Sequence, residues 1–229
     1  MPRSIILRES LIRAGLVSMI ASFTLCAATL PGPAVDENRS AKSETVVLAG
    51  GCFWGVQAVF DAVKGVSSAI SGYAGGSKAN AHYEIVSTGT TGHAESVQVT
   101  FDPSQVSFGQ LLKIYFSVAH DPTELNRQGP DEGTQYRSEI FYTTDEQKRI
   151  AEAYIQQLTA AKVFRGPIVT KVAPLQAFYA AEDYHQNYVL HCQQGSPLCT
   201  NKGYVTYNDL PKLTNLRADF PEMCKRGKQ

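Results

Sequence analysis

The stretch from residue 45 to residue 63, TVVLAGGCFWGVQAVFDAV, decides the fold because it passes from a strand to a helix. Residues 45–49 form a short apolar run rich in β-branched side chains, and two glycines end it, which predicts a buried strand. The apolar residues that follow Cys52 keep the spacing of one helix face. They are Val56, Val59, Phe60 and Val63. We therefore predict a helix that begins at Cys52.

Strand and helix patterns alternate along the rest of the chain. We predict strands over residues 66–73, 96–101, 136–142 and 168–172, and helices over residues 106–118, 145–162 and 178–190. This alternation indicates an α/β fold, a two-layer sandwich in which helices cover one mixed sheet. We expect a ferredoxin-like plait for this catalytic domain, residues 44–190. An irregular C-terminal tail with extra cysteines, residues 191–229, is expected to follow it.

The N-terminus is typical of an exported protein. Three arginines precede an apolar run over residues 16–30, and small residues follow it, with cleavage predicted after residue 28 or 34. The run is shorter than the ~20 residues that a spanning helix needs, and an uncleaved anchor helix is the alternative. We expect a signal peptide and leader over residues 1–34 and a flexible linker over residues 35–43. The mature protein is then periplasmic or secreted.

The charge balance excludes some classes of partner. The 229 residues contain 21 Lys and Arg against 21 Asp and Glu, so the formal net charge is zero. Nucleic acids and anionic membranes attract dense basic clusters, which this composition does not provide. We therefore expect a peptide or small-molecule partner, no nucleic acid, and a monomer.

Cys52 is the first candidate for chemistry. At a helix start, its sulfur would face unpaired backbone N–H groups and the positive end of the helix dipole. Both favour the thiolate, and such cysteines reach pKa values of ~3.5–7.5. We predict an activated nucleophile. The alternative is an inert cysteine buried beside the aromatic residues Phe53 and Trp54, because free cysteine is among the most buried residue types.

Four motifs occur in order along the chain. They are Gly51-Cys52-Phe53-Trp54-Gly55; Gly92-His93-Ala94-Glu95 with Tyr83 upstream; Gly133-Thr134-Gln135-Tyr136-Arg137-Ser138 preceded by Asp131; and Ala181-Glu182-Asp183-Tyr184-His185-Gln186-Asn187-Tyr188. Together they resemble the motifs of the A-type peptide-methionine sulfoxide reductases. The likeness runs from about residue 46 to residue 188 and leaves out the tail. It implies an enzyme that repairs oxidised proteins by reducing the S epimer of methionine sulfoxide, free or in peptides.

The resemblance also assigns roles to the motif residues. Cys52 attacks the substrate sulfur and becomes a sulfenic acid, while Glu95 acts as the acid that protonates the departing oxygen. Phe53 and Trp54 form the walls that hold the S-methyl group. No cofactor is implied beyond an external thiol or thioredoxin-like reductant.

Three further residues match those that hold the sulfoxide oxygen through hydrogen bonds. They are Tyr83, Asp131 and Tyr136. Each has a plainer alternative, since isolated tyrosines are usually core residues and Asp131 lies among turn-forming residues. Glu95 also has a plainer alternative, an exposed charge on a strand, because most carboxylates are exposed.

The tail leaves the recycling step open. Cys199 is the nearest in spacing to a resolving cysteine, with Cys192 and Cys224 as further candidates, whereas a structural Cys192–Cys199 bridge is the alternative. The sequence Asn208-Asp209-Leu210-Pro211-Lys212-Leu213 resembles the tail of family members that need no local resolving cysteine. A thioredoxin-like donor is expected with a resolver, and another thiol without one.

Two other functions are compatible with the same residues. A thiol acyl-transferase or amidase would pair Cys52 with His93 or His185. A peptide-binding module would use Trp54 and leave the cysteine merely packed. We expect no metal, because the histidines lack the usual ligand spacings.

Overall fold

The computed structural model describes residues 30–37 and 42–225. The strands are β1 (Glu44–Gly50), β2 (Val66–Ala74), β3 (Ala94–Phe101), β4 (Arg127–Gln128), β5 (Asp131–Glu132), β6 (Ser138–Tyr142), β7 (Lys171–Pro174) and β8 (Phe178–Ala180). The helices are α1 (Phe53–Asp61), α2 (Tyr83–Val86), α3 (Phe108–Ile114), α4 (Asp145–Ala160), α5 (Tyr188–Gln193), α6 (Lys202–Tyr204) and α7 (Leu210–Asp219). Among the described residues, six strands form one sheet in the order β7-β6-β1-β3-β2-β8, and β4 pairs only with β5.

β1 lies inside the sheet because its apolar side chains can be buried on both faces. It pairs antiparallel with β3 and with β6. Val46 and Leu48 belong to the main core, whereas Val47 and Ala49 belong to a smaller cluster on the other face. Alternate strand residues point to opposite faces, so one short run serves two cores. α1 packs against the larger core with the four apolar residues that the helical spacing predicted, Val56, Val59, Phe60 and, just beyond its end, Val63.

The predicted α/β architecture, a mixed sheet with helices, is confirmed. The inner strands follow one another as β1-α1-β2-β3-α3-β6 and lie in the order β6-β1-β3-β2, with every neighbouring pair antiparallel. This arrangement is compatible with the ferredoxin-like plait that we expected. β7 extends the sheet as a parallel neighbour of β6.

The segment predicted as one helix over residues 178–190 is divided. Its first part forms β8, which pairs antiparallel with β2 and so covers that edge of the sheet. Helix α5 starts only at Tyr188, after Asn187 in the left-handed conformation with φ 52°. The prediction was wrong because the free edge of β2 offers backbone hydrogen bonds that the local pattern does not reveal.

The C-terminal tail is helical rather than irregular. After α6, a π-helical turn over Val205–Asp209 leads into α7, which has a proline in its first turn. Val205, Leu213 and Leu216 are buried in the main core. The tail therefore packs on α1, because burial of its apolar side chains offsets the entropy lost on ordering it.

Residues 31–37 also pack on the domain. Asp36 accepts hydrogen bonds from the Ser107 hydroxyl at 2.5 Å and from Gly109 N–H at 2.9 Å, and Glu37 accepts one from Phe108 N–H at 2.7 Å. These carboxylates satisfy N–H groups at the start of α3 that have no partner within the helix. Residues 35–37 are therefore not the flexible linker that was predicted.

Most of the predicted signal peptide lies outside the described residues. Within residues 30–37 and 42–225, there is no helix long and apolar enough to cross a membrane.

Candidate active site

The turn from β1 into α1 positions Cys52. Gly51 has φ +86°, a conformation that side chains rarely adopt, and a Cβ there would lie 2.6 Å from Gln128. Cys52 is the N-cap residue of α1 and is 8% exposed. The predicted strand-to-helix junction is therefore present, and the Cys52 side chain at this junction is buried.

The environment of Cys52 does not favour the thiolate. Burial, and then the nearby carboxyl groups of Glu95 and Asp209, raise the pKa of the thiol well above its usual range. A hydrogen bond from Trp54 N–H and the charge of Lys212 act in the opposite direction but are smaller. The expectation of a lowered pKa was wrong because tertiary packing removes water and adds carboxyl groups, and together these outweigh the helix start.

Glu95 is buried beside this thiol. It lies on β3, is 2% exposed, and its Oε2 accepts a hydrogen bond from Phe53 N–H at 3.1 Å. Burial, with smaller contributions from Asp131 and Asp209, raises the pKa of Glu95 to about 8. The alternative of an exposed strand charge is excluded. At neutral pH this carboxyl group holds a proton that it can donate.

The seven residues that the motifs predicted all line one cavity, together with two from the tail. They are Cys52, Phe53, Trp54, Tyr83, Glu95, Asp131 and Tyr136, with Asn201 and Tyr204. The cavity has a volume of about 100 Å³, several times the ~10–15 Å³ that one water molecule needs. A small substrate group therefore fits beside the thiol.

The two predicted tyrosines provide hydroxyl donors at this cavity. Tyr83 begins α2, and its backbone N–H donates to Glu182 Oε1 at 3.0 Å. Burial and the nearby Glu95 raise the pKa values of Tyr83 and Tyr136. Both phenols therefore keep their protons and can donate hydrogen bonds to an oxygen in the cavity.

Asp131 contacts the tail rather than simply closing a turn. Its Oδ2 accepts a hydrogen bond from the hydroxyl of Tyr204. Sequence reasoning missed Tyr204 and Asn201, because both belong to the tail that was expected to be irregular. The only signal for Tyr204 was that an aromatic residue lies shortly before the segment from Asn208 to Leu213, which resembles the tail of some family members.

Trp54 forms one wall of the cavity and is held on several sides. Its ring stacks on Tyr188 with centroids 3.7 Å apart, and Tyr204 meets it edge-on at 6.0 Å. Its indole N–H donates to His185 Nδ1 at 3.0 Å, while Phe53 lies 5.1 Å from the same imidazole ring. This network fixes the orientation of both aromatic walls.

The histidines proposed for an acyl-transfer site do not occupy the base position. His185 uses Nδ1 to accept from Trp54, and burial lowers its pKa. His93 contacts Gly76 N–H at 3.2 Å and Ser77 carbonyl oxygen at 2.9 Å. Neither ring lines the cavity around Cys52. This geometry favours an acid at the thiol over an imidazole base.

Comparison with known proteins decides the family. The sequence model for peptide methionine sulfoxide reductases matches residues 44–212. The chain belongs to this family. The match continues past the four motifs into the tail, so Tyr204, Asp209 and Lys212 fall within it.

Two relatives illustrate the extent of the similarity within this reductase family. The peptide methionine sulfoxide reductase MsrA 2 of Mesorhizobium japonicum is 56% identical over 189 residues, covering 82% of this chain and 93% of that protein. The protein of the same name from Synechocystis is 48% identical over 217 residues, covering 92% of this chain and 98% of that protein.

Two solved structures have similar folds. Mxr1 from Saccharomyces cerevisiae in its reduced form gives a TM-score of 0.60 at 32% identity, covering 72% of this chain and 95% of that chain. Methionine sulfoxide reductase A of Corynebacterium diphtheriae gives 0.56 at 38% identity, covering 71% and 82%.

The positions of the three tail cysteines do not favour any of them as the resolving cysteine of this reductase. Cys192 and Cys199 form a disulfide, the alternative that the sequence left open. Cys224 is a free thiol, but it pairs with Val63 just beyond the C-terminal end of α1. Since Cys52 lies at the other end of this nine-residue helix, about 14 Å separates the two ends. None of the three is a free thiol beside Cys52 in this form of the protein.

Proposed function

We propose that this reductase converts the S epimer of methionine sulfoxide, free or in peptides and proteins, to methionine through attack by Cys52. One observation carries the proposal: a thiol and a protonated carboxyl group share a cavity with aromatic walls. A sulfoxide needs all three, because its oxygen leaves only when it is protonated while its sulfur is attacked.

The reaction moves one oxygen atom from the substrate to Cys52. The thiol sulfur bonds to the substrate sulfur as Glu95 gives its proton to the sulfoxide oxygen. The hydroxyl group then passes from the substrate sulfur to Cys52 as the substrate S–O bond and the bond between the two sulfurs break. The thiol proton returns Glu95 to its acid form, and methionine leaves. Cys52 loses two electrons and becomes a sulfenic acid, while the substrate sulfur gains the same two.

The remaining cavity residues would bind the substrate in one orientation. The hydroxyls of Tyr83 and Tyr136 donate to the sulfoxide oxygen, where negative charge develops before proton transfer. Asp131, oriented by Tyr204, supports the same polar side. Phe53 and Trp54 hold the methyl group, and each aromatic–sulfur contact contributes ~0.3–1.5 kcal/mol. A polar side and an apolar side at fixed positions give a physical basis for selecting one epimer.

Recycling of the sulfenic acid would need a thiol from outside the cavity. With the Cys192–Cys199 disulfide formed, an external thiol or thioredoxin-like protein attacks Cys52 directly. Cys199 would resolve Cys52 only after that disulfide has been reduced. We favour the direct route, because Cys199 is held in that disulfide and Cys224 lies beyond the far end of α1.

We further propose that the enzyme is exported and acts as a monomer on oxidised proteins outside the cytoplasm. The arginines and apolar run of residues 1–34 support export. The formal net charge of zero fits peptide substrates of varied sequence.

The test is an assay with each purified epimer of a methionine sulfoxide peptide and dithiothreitol, followed by chromatography of the product. We expect the S epimer alone to be reduced, and Cys52→Ser to abolish turnover. Cys224→Ser is the matched control, since it also removes a free thiol, and should keep full activity. Turnover retained in Cys52→Ser, or equal reduction of both epimers, would overturn the proposal.

A further inference from the structure

Asp209 is a buried carboxyl group that the reaction above does not use. It is 0% exposed, and neither oxygen has a hydrogen-bond partner among the residues that the structure describes. It occupies the N-cap position of α7, yet its side chain accepts no capping hydrogen bond there. An N-cap aspartate usually satisfies a first-turn N–H of its own helix, and loss of that bond costs ~1 kcal/mol. The side chain therefore serves no capping role.

The carboxyl group points instead at the first turn of α1. A Cβ on Gly55 would lie 2.3 Å from Asp209 Oδ1 and 3.1 Å from its Cγ. Only a glycine leaves room for this contact, three residues after Cys52. The π-helical turn that ends at Asp209 places it there, and such turns are frequent at functional sites.

Lys212 brings a positive charge to the same place. It lies three residues further along, on α7, and its Cδ is 3.2 Å from the Cβ position on Gly55. The two side chains therefore approach the start of α1 from one helical turn of the tail. Their charges have opposite effects on Cys52. The negative charge of Asp209 favours the protonated thiol, whereas the positive charge of Lys212 favours the thiolate.

Asp209 is balanced between its two charge states. Burial, with a smaller contribution from Asp131, raises its pKa to about 7, and Lys212 opposes this. The ionisable groups that act on Asp209, or on which it acts, come from five elements. They are Cys52 at the start of α1, Glu95 on β3, Asp131 on β5, Tyr204 on α6 and Lys212 on α7.

We propose that Asp209 and Lys212 are positioning residues that act through Cys52: ionised Asp209 keeps the thiol protonated in the resting enzyme, and Lys212 opposes it. This proposal rests on the proposed function, because a catalytic thiol needs a resting form that is unreactive. A protonated thiol resists oxidants and electrophiles that attack thiolates. The tail thereby keeps Cys52 protonated and unreactive without contacting the substrate.

The test measures alkylation of Cys52 by iodoacetamide between pH 5 and 10, quantified by mass spectrometry of the Cys52 peptide in the full chain. Asp209→Asn should be alkylated about tenfold faster than wild type above pH 8, the effect of a tenfold larger thiolate fraction. The two rates should converge below pH 6, because Asp209 is then neutral in the wild type. A purely structural role would not produce this dependence on pH.

Lys212→Gln gives the second arm, because it replaces a half-buried side chain that the fold tolerates more readily. It should slow alkylation of Cys52 at every pH. Asp219→Asn, an exposed change on the same helix, is the matched control and should leave the profile unchanged. Profiles for Asp209→Asn and Lys212→Gln that both stay within twofold of wild type would overturn the inference. If Asp209→Asn does not fold, an unchanged Lys212→Gln profile overturns it alone.

The readout is independent of sulfoxide reduction. A chain that shows both shifts but reduces no methionine sulfoxide would retain this inference and contradict the proposed function. A chain that reduces the sulfoxide without the shifts would do the reverse.

Discussion

Replacement of Glu95 by glutamine should make the protein more stable at alkaline pH while it removes activity. Glu95 is buried, and its neutral form suits its surroundings better than its charged form. Glutamine has nearly the same shape, keeps an oxygen that can accept the hydrogen bond from Phe53 N–H, and never ionises. The variant therefore removes the cost of a buried charge together with the acid.

The magnitude follows from the difference between the folded and unfolded pKa values. Glu95 ionises near its ordinary pKa of 4.5 when unfolded and at about 8 when folded. The folded state therefore binds more protons between these pH values, so its stability is fully present below pH 4.5 and is lost as pH rises through about 8. At 1.36 kcal/mol for each pH unit, the loss reaches about 3 kcal/mol at pH 7 and about 5 kcal/mol above pH 8.

Urea unfolding of wild type and Glu95→Gln at pH 5, 7 and 9 measures this effect, with Glu152→Gln on the exposed face of α4 as control. The free energies of unfolding should differ by less than ~1 kcal/mol at pH 5, with the variant several kcal/mol more stable at pH 9. Turnover of the variant should fall by ~10²–10⁴, the usual contribution of a general acid. A stability difference that does not grow with pH would refute the assignment of a buried protonated acid.

Three further predictions concern the cavity and the tail. Tyr136→Phe should lower kcat/KM by about 10²-fold, the usual cost of one donor to a developing oxyanion, while Cys52 alkylation persists; steady-state kinetics check this. Gly55→Ala should lower the free energy of unfolding by ~1–3 kcal/mol, because the new Cβ overlaps Asp209; urea denaturation decides it, and an unchanged midpoint would contradict the contact. Cys192→Ser should cost ~2–3 kcal/mol, as expected for opening a short disulfide loop, yet retain turnover with dithiothreitol; loss of turnover in the folded variant would revive a catalytic role for the pair.

The local sequence was sufficient to predict the residues at the centre of the site. The apolar run before Gly50 and the helical spacing after Cys52 fix the junction that presents the thiol. Phe53 and Trp54 follow from the same turn, because they are neighbours of the cysteine in the chain. Glu95 lies on a strand whose alternating pattern could be recognised, although its burial depends on the packing of α1 against that strand.

The contributions of the tail could not be predicted in this way. Tyr204 lines the cavity, and Asp209 reaches Gly55, only because the tail folds back on α1, about 150 residues away in sequence. The reactivity of Cys52 was misjudged for the same reason, since its desolvation and two carboxyl neighbours come from distant elements. Hydrophobic periodicity records which face of an element is buried, but not which element covers it.

A single-turnover experiment shows whether the sulfoxide oxygen is transferred to Cys52. The protein, with Cys52 as a free thiol and the Cys192–Cys199 disulfide intact, is mixed with an excess of S-epimer peptide and dimedone, without reductant, and methionine and the modified residue are quantified together. We expect one methionine per protein molecule and one dimedone adduct, on Cys52. Methionine without an adduct on Cys52, or an adduct on another residue, would contradict transfer of the sulfoxide oxygen to this thiol.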